Sequence, residues 1–208
     1  MRVQAFLSLG KQGNPQIRTK LEPLVAKFHP QKHQAELLAI GFAIAALGDK
    51  ALGESIIRKH FVLPPIPVNY RRWDLLRPGV YAIGQLRMKE FRGQIEDLSA
   101  RADPFVRREA VKALSSLRDK AAIPAITARL DDTIPGVRTA AVKGLQTLTG
   151  LYNNRTPAQW RRWWANEVAR GTQGLNQTTQ SRNTSRKIEL RKDSAASPRK
   201  HPDHPLNK

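Results

Sequence analysis

The sequence predicts an all-α protein, an α-solenoid of stacked helical hairpins closed by a C-terminal capping helix and followed by a disordered basic tail. Three observations carry this expectation. The segment Asp103 to Leu114 returns 31 residues later as Ile134 to Leu145, with Pro104, Val106-Arg107, Ala110-Val111-Lys112 and Leu114 matched by Pro135, Val137-Arg138, Ala141-Val142-Lys143 and Leu145. Self-similarity at a period in the thirties marks an array of helical pairs. Within each copy the apolar residues keep helical spacing, as in Val106, Ala110, Ala113, Leu114 and Leu117, a single stripe that one hairpin cannot bury alone. After Gly171 no apolar period survives, and the chain turns to Gln, Asn, Ser, Thr, Lys and Arg, a composition that cannot offset the entropy lost on folding.

The repeat extends backward from its clearest copies. Landmark leucines Leu9, Leu47, Leu86, Leu117 and Leu148 follow one another at 38, 39, 31 and 31 residues. They divide the chain into units of about 1–28, 32–62, 70–102, 104–132 and 135–150, then a capping helix at 156–169 and a tail at 171–208. Arg2 to Gly10 reads as the second helix of a hairpin whose first helix is missing, so the chain begins within a unit. The helix around Leu37 to Leu47 is apolar nearly all round and is expected inside the stack. Val62 to Val68 holds three prolines in four residues, which makes it an extended linker. Pro78 in Arg77-Pro78-Gly79 predicts a break or kink in the following helix. Asp103-Pro104 reads as an N-cap with proline in the first turn, and Pro124 sits similarly before Ile126 and Leu130. Where Ile134 replaces a capping aspartate, Asp132 or Thr133 is left to satisfy the helix end. Thr156-Pro157-Ala158-Gln159 fits a capping box.

Charge is the outlying bulk property. Thirty-six Lys and Arg oppose 17 Asp and Glu, a formal +19. Residues 171–208 carry eight basic and three acidic side chains, so the tail accounts for +5 and the body for +14. Such a field draws anionic partners without naming them. The chain has no cysteine, which excludes disulfides and thiolate chemistry. Its longest uncharged apolar run, Leu37 to Gly48, is too short to span a bilayer. A soluble cytoplasmic location is the expectation, with an upstream leader left open by the half-hairpin start.

Val106-Arg107-x-x-Ala110-Val111-x-x-Leu114, followed by Leu117-x-Asp119-Lys120-Ala121-Ala122-Ile123-Pro124-Ala125-Ile126, resembles the HEAT repeat. It is most similar to the short bacterial kind named after phycobilisome lyases. The resemblance is good over Ala100 to Gly150 and looser back to Arg2. It implies that the repeat arginines Arg107 and Arg138 pair with Asp103, Asp131 or Asp132. It also implies a non-enzymatic scaffold whose concave surface, lined by one helix per repeat, holds a protein partner.

Candidate contact residues follow from the mixture of cations and aromatics. Arg71, Arg72, Trp73, Arg77, Arg87 and Arg92, with Tyr70 and Lys89, form the densest such cluster outside the tail, and Arg108 joins them from the next helix. If these share a face, they would bind nucleic acid in a salt-dependent way; Asp74, Glu90, Glu96 and Asp97 dilute the patch. Arg161 and Arg162 stand beside Trp160, Trp163 and Trp164, a set that serves either as a base-stacking site or as a lid on the last hairpin. The end of a repeat array favours the lid.

No catalytic or cofactor set emerges. P-loop, dinucleotide and His-Glu-x-x-His motifs are missing. None of His29, His33, His60, His201 and His204 precedes a glutamate, unlike the His-Glu pairs of HEAT-type iron hydroxylases. Glu96-Asp97 and Asp131-Asp132 read as turns and solvated faces. A phycobilin-lyase-like accessory role and a glycosylase-like use of Trp73 with Asp74 rest on the resemblance alone. No metal, cofactor or membrane span is expected, and the oligomeric state is undetermined by the sequence.

Overall fold

The computed structural model describes residues 2–63, 70–101, 103–152 and 155–170, with only the backbone of residues 70–72. The expected tail at 171–208 and most of the proline linker therefore lie outside the described residues. The chain divides into two compact units, Met1–Arg161 and Arg162–Lys208.

Among the described residues the chain is helical with no strand. The helices are α1 (Arg2–Gln12), α2 (Arg18–Lys27), α3 (Gln34–Ala46), α4 (Lys50–His60), α5 (Tyr70–Leu86), α6 (Arg92–Ser99), α7 (Pro104–Ser116), α8 (Ile123–Thr127) and α9 (Pro135–Thr149), then α10 at 157–170. Short 3₁₀ turns at Pro15–Ile17, Lys89–Phe91 and Lys120–Ala122 lead into α2, α6 and α8.

In the first unit the odd-numbered helices form one layer, α1 on α3, α3 on α5, α5 on α7 and α7 on α9. The even-numbered helices back them, with α2 and α4 on α3, α6 on α7 and α8 on α9. This is an all-α solenoid. Its core is the sum of equivalent stripes: Trp73, Leu76, Val80 and Ile83 of α5, Val106, Ala110, Val111 and Leu114 of α7, and Val137, Ala141, Leu145 and Leu148 of α9 are all buried. The α3 expectation holds. Every residue from Leu37 to Ala45 is buried, because α1, α2, α4 and α5 each cover a side of it.

Helix ends follow the predicted chemistry. The Asp103 carboxylate accepts from the amides of Phe105 and Val106 at 2.8 and 3.2 Å, satisfying donors that the first turn leaves open. Asp49 and Asp119 do the same for Leu52 and Ala121. Thr156 and Gln159 bond reciprocally, Thr156 N–H to Gln159 Oε1 at 2.8 Å and Gln159 N–H to Thr156 Oγ1 at 3.3 Å. At the other ends, Gly48, Arg87 and Arg118 each follow a landmark leucine and adopt left-handed φ values of 112°, 56° and 54°.

Three expectations are corrected. Arg2–Gln12 is not the second helix of a hairpin: α1 packs on α3 within the odd-numbered layer, as α7 does on α9, and α2 follows it as the backing helix. Helix α5 is continuous through Pro78. Buried Trp73 and Leu76 anchor the turn before the proline and Val80 the turn after it, and Gly79 fits so closely that a Cβ there would stand 2.6 Å from the Phe61 ring. Packing thus outweighs the cost of one missing helical hydrogen bond. Asp131-Asp132 is not simply a solvated turn. Asp131 is exposed and pairs with Arg161, whereas the Asp132 side chain is 4% exposed and belongs to the inter-repeat clamp described below.

Candidate functional site

One candidate surface is a groove on the odd-numbered layer. It lies where side chains of α1 and α5, which both pack on α3, meet. Lys11 Nζ of α1 lies 5.0 Å from the Tyr81 ring centroid of α5, and Tyr81 packs edge-on against Phe42 of α3 at 5.2 Å. Close backbone approach makes this possible. A Cβ on Gly10 would fall 2.8 Å from the Ala43 α-carbon, and one on Gly84 would fall 3.1 Å from the Ala113 α-carbon, so any larger residue would push α1 off α3 or α5 off α7.

The groove has a volume of about 440 Å³ and takes its walls from α1, α5 and α7, with Gln4, Lys11, Arg77, Tyr81, Gln85 and Lys112 supplying most of the polar groups. A second depression of about 340 Å³ continues it toward Phe105 and Arg108, sharing Arg77 and Glu109 with the first. Glu109 Oε1 accepts from Lys112 Nζ at 2.8 Å and from Arg108 Nε at 3.1 Å. The Arg108 guanidinium also lies 5.3 Å from the Phe105 ring centroid, within cation–π range. Phe105 is 54% exposed.

The structure splits the sequence-based candidate set. Arg77 and Arg108 meet at this groove. Trp73 lies beneath them, only 3% exposed, so its ring is core and offers no stacking platform. Arg87 occupies the exposed left-handed turn after α5. Arg92 is on the even-numbered layer, bonded to Asp119 at 3.1 Å and paired with Glu96. Arg161 pairs with Asp131, and Arg162 is exposed in the second unit. The side chains of Arg71 and Arg72 lie outside the described residues. Lys11, Tyr81, Phe105 and Lys112 were absent from the sequence-based set. For Tyr81 and Lys112 the signal was the spacing 77-81-85 on α5, echoed by 109-112-116 on α7, one turn-by-turn row on each helix; Lys11 and Phe105 had no such signal.

The tryptophans divide as well. Trp160 is fully buried, with the Arg155 guanidinium 5.2 Å from its ring centroid. Trp163 and Trp164, in the second unit, contact one another at 6.2 Å.

The repeat arginines hold neighbouring units together. Arg107 grips Asp132 bidentately, Nε to Oδ2 at 2.6 Å and Nη2 to Oδ1 at 2.7 Å, and its Nη1 donates to the Arg101 carbonyl. Arg138 donates to the Asp132 and Thr133 carbonyls. Each therefore reaches a carbonyl six residues upstream, and Arg107 adds the carboxylate of Asp132 at the junction with the next unit. The Arg107 hydrogen bond holds the Asp132 carboxyl below the ordinary carboxylate range against the opposing effect of burial, and the Ile134 amide assists. Asp132 thus also serves the start of α9, where Ile134 has no side-chain cap to offer.

Among the described residues no group of three or more His, Asp or Glu is placed to hold a metal ion. Burial pushes the His60 imidazole below its ordinary pKa; His29 and His33 lie on the exposed α2–α3 connection.

Residues 72–165 match the family model described as HEAT repeats. Over this stretch the chain is HEAT-like. The matched stretch runs from the first turns of α5 into α10, so the groove combines two HEAT helices, α5 and α7, with α1 from outside the matched stretch. No curated protein matches the chain. No helix among the described residues is long and apolar enough to cross a membrane.

Proposed function

We propose that this chain is a non-enzymatic scaffold that holds a protein partner in the groove framed by α1, α5 and α7. HEAT repeats generally serve protein interaction, and the groove is the observation that carries the reading here. It joins side chains from three helices into one surface with an apolar floor at Leu7 and Val80 and polar walls, the mixture that protein interfaces use. Site-specific photo-crosslinking tests it. Benzoylphenylalanine at Gln85, exposed in the groove, is expected to trap a polypeptide in cells. The same group at Ser55, exposed on α4, is expected not to trap it. Absence of a crosslinked polypeptide at Gln85, or the same set at both positions, overturns the proposal.

Nucleic-acid binding is the second reading, favoured by the formal +19. Several of the arginines are already engaged, as Arg58 with Glu54 and Glu90, Arg92 with Asp119, Arg107 with Asp132 and Arg161 with Asp131, which reduces the charge free to meet phosphates. Titrating salt against random duplex DNA decides. Micromolar binding near physiological salt with a steep salt slope supports this second reading, and no binding even at low salt rejects it.

A further inference from the structure

We infer that the segment seated in this groove is acidic: a stretch of a partner protein with several Asp or Glu residues around a few apolar ones. The inference rests on the scaffold reading and specifies its partner. The two joined depressions are lined by four cations, Lys11, Arg77, Arg108 and Lys112, and by two carboxylates, Asp74 and Glu109. Glu109 is already shared between Arg108 and Lys112. Lys11 rests over Tyr81, an arrangement that leaves its ammonium donors open to an incoming carboxylate, and no carboxylate among the described residues lies within ion-pair distance of Arg77. The lining is thus short of negative charge on an apolar floor, and an acidic, partly apolar peptide supplies both complements.

Other occupants fit less well. The chain's own tail is itself basic, with eight Lys and Arg against three Asp and Glu in residues 171–208. A second copy brings a formal +19 against the same charge. A nucleic-acid strand presents a phosphate at each nucleotide and would have to pass Asp74 and Glu109. A peptide can place its carboxylates selectively, opposite Lys11 and Arg77, and set amide or hydroxyl donors against the two acids.

The test uses the full-length chain and fluorescein-labelled 12-residue peptides containing one Trp and two Leu, with zero, two, four or six Glu replacing Gln. Fluorescence anisotropy near physiological salt is expected to show affinity rising at least tenfold from the first peptide to the last. The double change Arg77→Glu/Lys112→Glu is expected to remove most of that gain. Lys59→Glu/Lys120→Glu, with the same change in net charge on the even-numbered side, is expected to leave affinities within about twofold, since side-chain charges well beyond a Debye length of about 8 Å are screened. Arg77→Gln/Lys112→Gln repeats the test without new negative charge, and circular dichroism melts confirm that every variant folds. Affinity indifferent to Glu content, or falling equally in both charge-reversed pairs, overturns the inference. So does a 12-nucleotide oligo-dT that binds more tightly than the six-Glu peptide and loses binding in the groove variant. The two readings fail separately. Gln85 crosslinks to a neutral or basic segment retain the scaffold and sink the acidic partner, while acid-dependent peptide binding without any crosslinked polypeptide retains the acid-binding groove and sinks the scaffold.

Discussion

At Asp132 one carboxylate serves two repeats, accepting the Arg107 fork and the Ile134 amide while its backbone carbonyl accepts Arg138. The side chains of Arg107 and Asp132 are 12% and 4% exposed, so removing one partner strands the other in a dry site. Asp132→Ala is expected to cost about 3 kcal/mol at neutral pH, read as a shift of the urea midpoint. The pH dependence has a definite sign. Because the folded carboxyl is held below its ordinary range, its contribution is complete above the unfolded value of about 4 and fades as pH falls through the lower folded value. The wild-type advantage over Asp132→Ala should therefore shrink below about pH 4; a gap that stays constant from pH 7 to pH 2 would show that the pair is not its source. The sequence offered this clamp only as one of three acidic partners for Arg107, since a contact across 25 residues depends on how α7 and α9 stack. The burial of Trp73 was more legible. Positions 73, 76, 80 and 83 follow the helical period, and that stripe outranks the neighbouring arginines that suggested an exposed site.

Single elements carry the repeat's punctuation. Arg87 and Arg118 are 31 residues apart, follow their landmark leucines and share nearly the same left-handed φ, where glycine is the usual occupant and stands in the earlier unit as Gly48. Non-glycine residues are sterically strained in this region. Arg87→Gly and Arg118→Gly are each expected to stabilise the fold by about 0.5–1 kcal/mol, measured by chemical denaturation. Destabilisation by either would mean that the arginine side chain holds a contact outweighing its strain. Helix ends were the most readable part of the chain, because Asp103 and the Thr156–Gln159 box act within four residues of themselves. Pro78 misled for the complementary reason. A local breaker predicts a local break, and what keeps α5 whole is Phe61 against Gly79 and the buried stripe to either side, none of which a single helix can announce.

For the molecule as a whole, stability is expected to be unevenly spread. An array in which each layer touches only its neighbours opens from its least supported parts, and α3 is covered on more sides than any other helix described. Native-state hydrogen exchange should find the slowest amides between Leu37 and Ala45; slower exchange in α9 would place the stability centre in the clearer repeats instead. The 31-residue period revealed the layers but not the groove, since Lys11, Tyr81 and Lys112 come from three helices far apart in the chain and meet only in the packed layer. That same arrangement has a mechanical consequence. In a stack whose cohesion comes mainly from adjacent helices, an occupant that grips α1 and α7 together acts as a mortar joint across several courses, and it would convert a stack that frays piece by piece into one that melts at a single temperature.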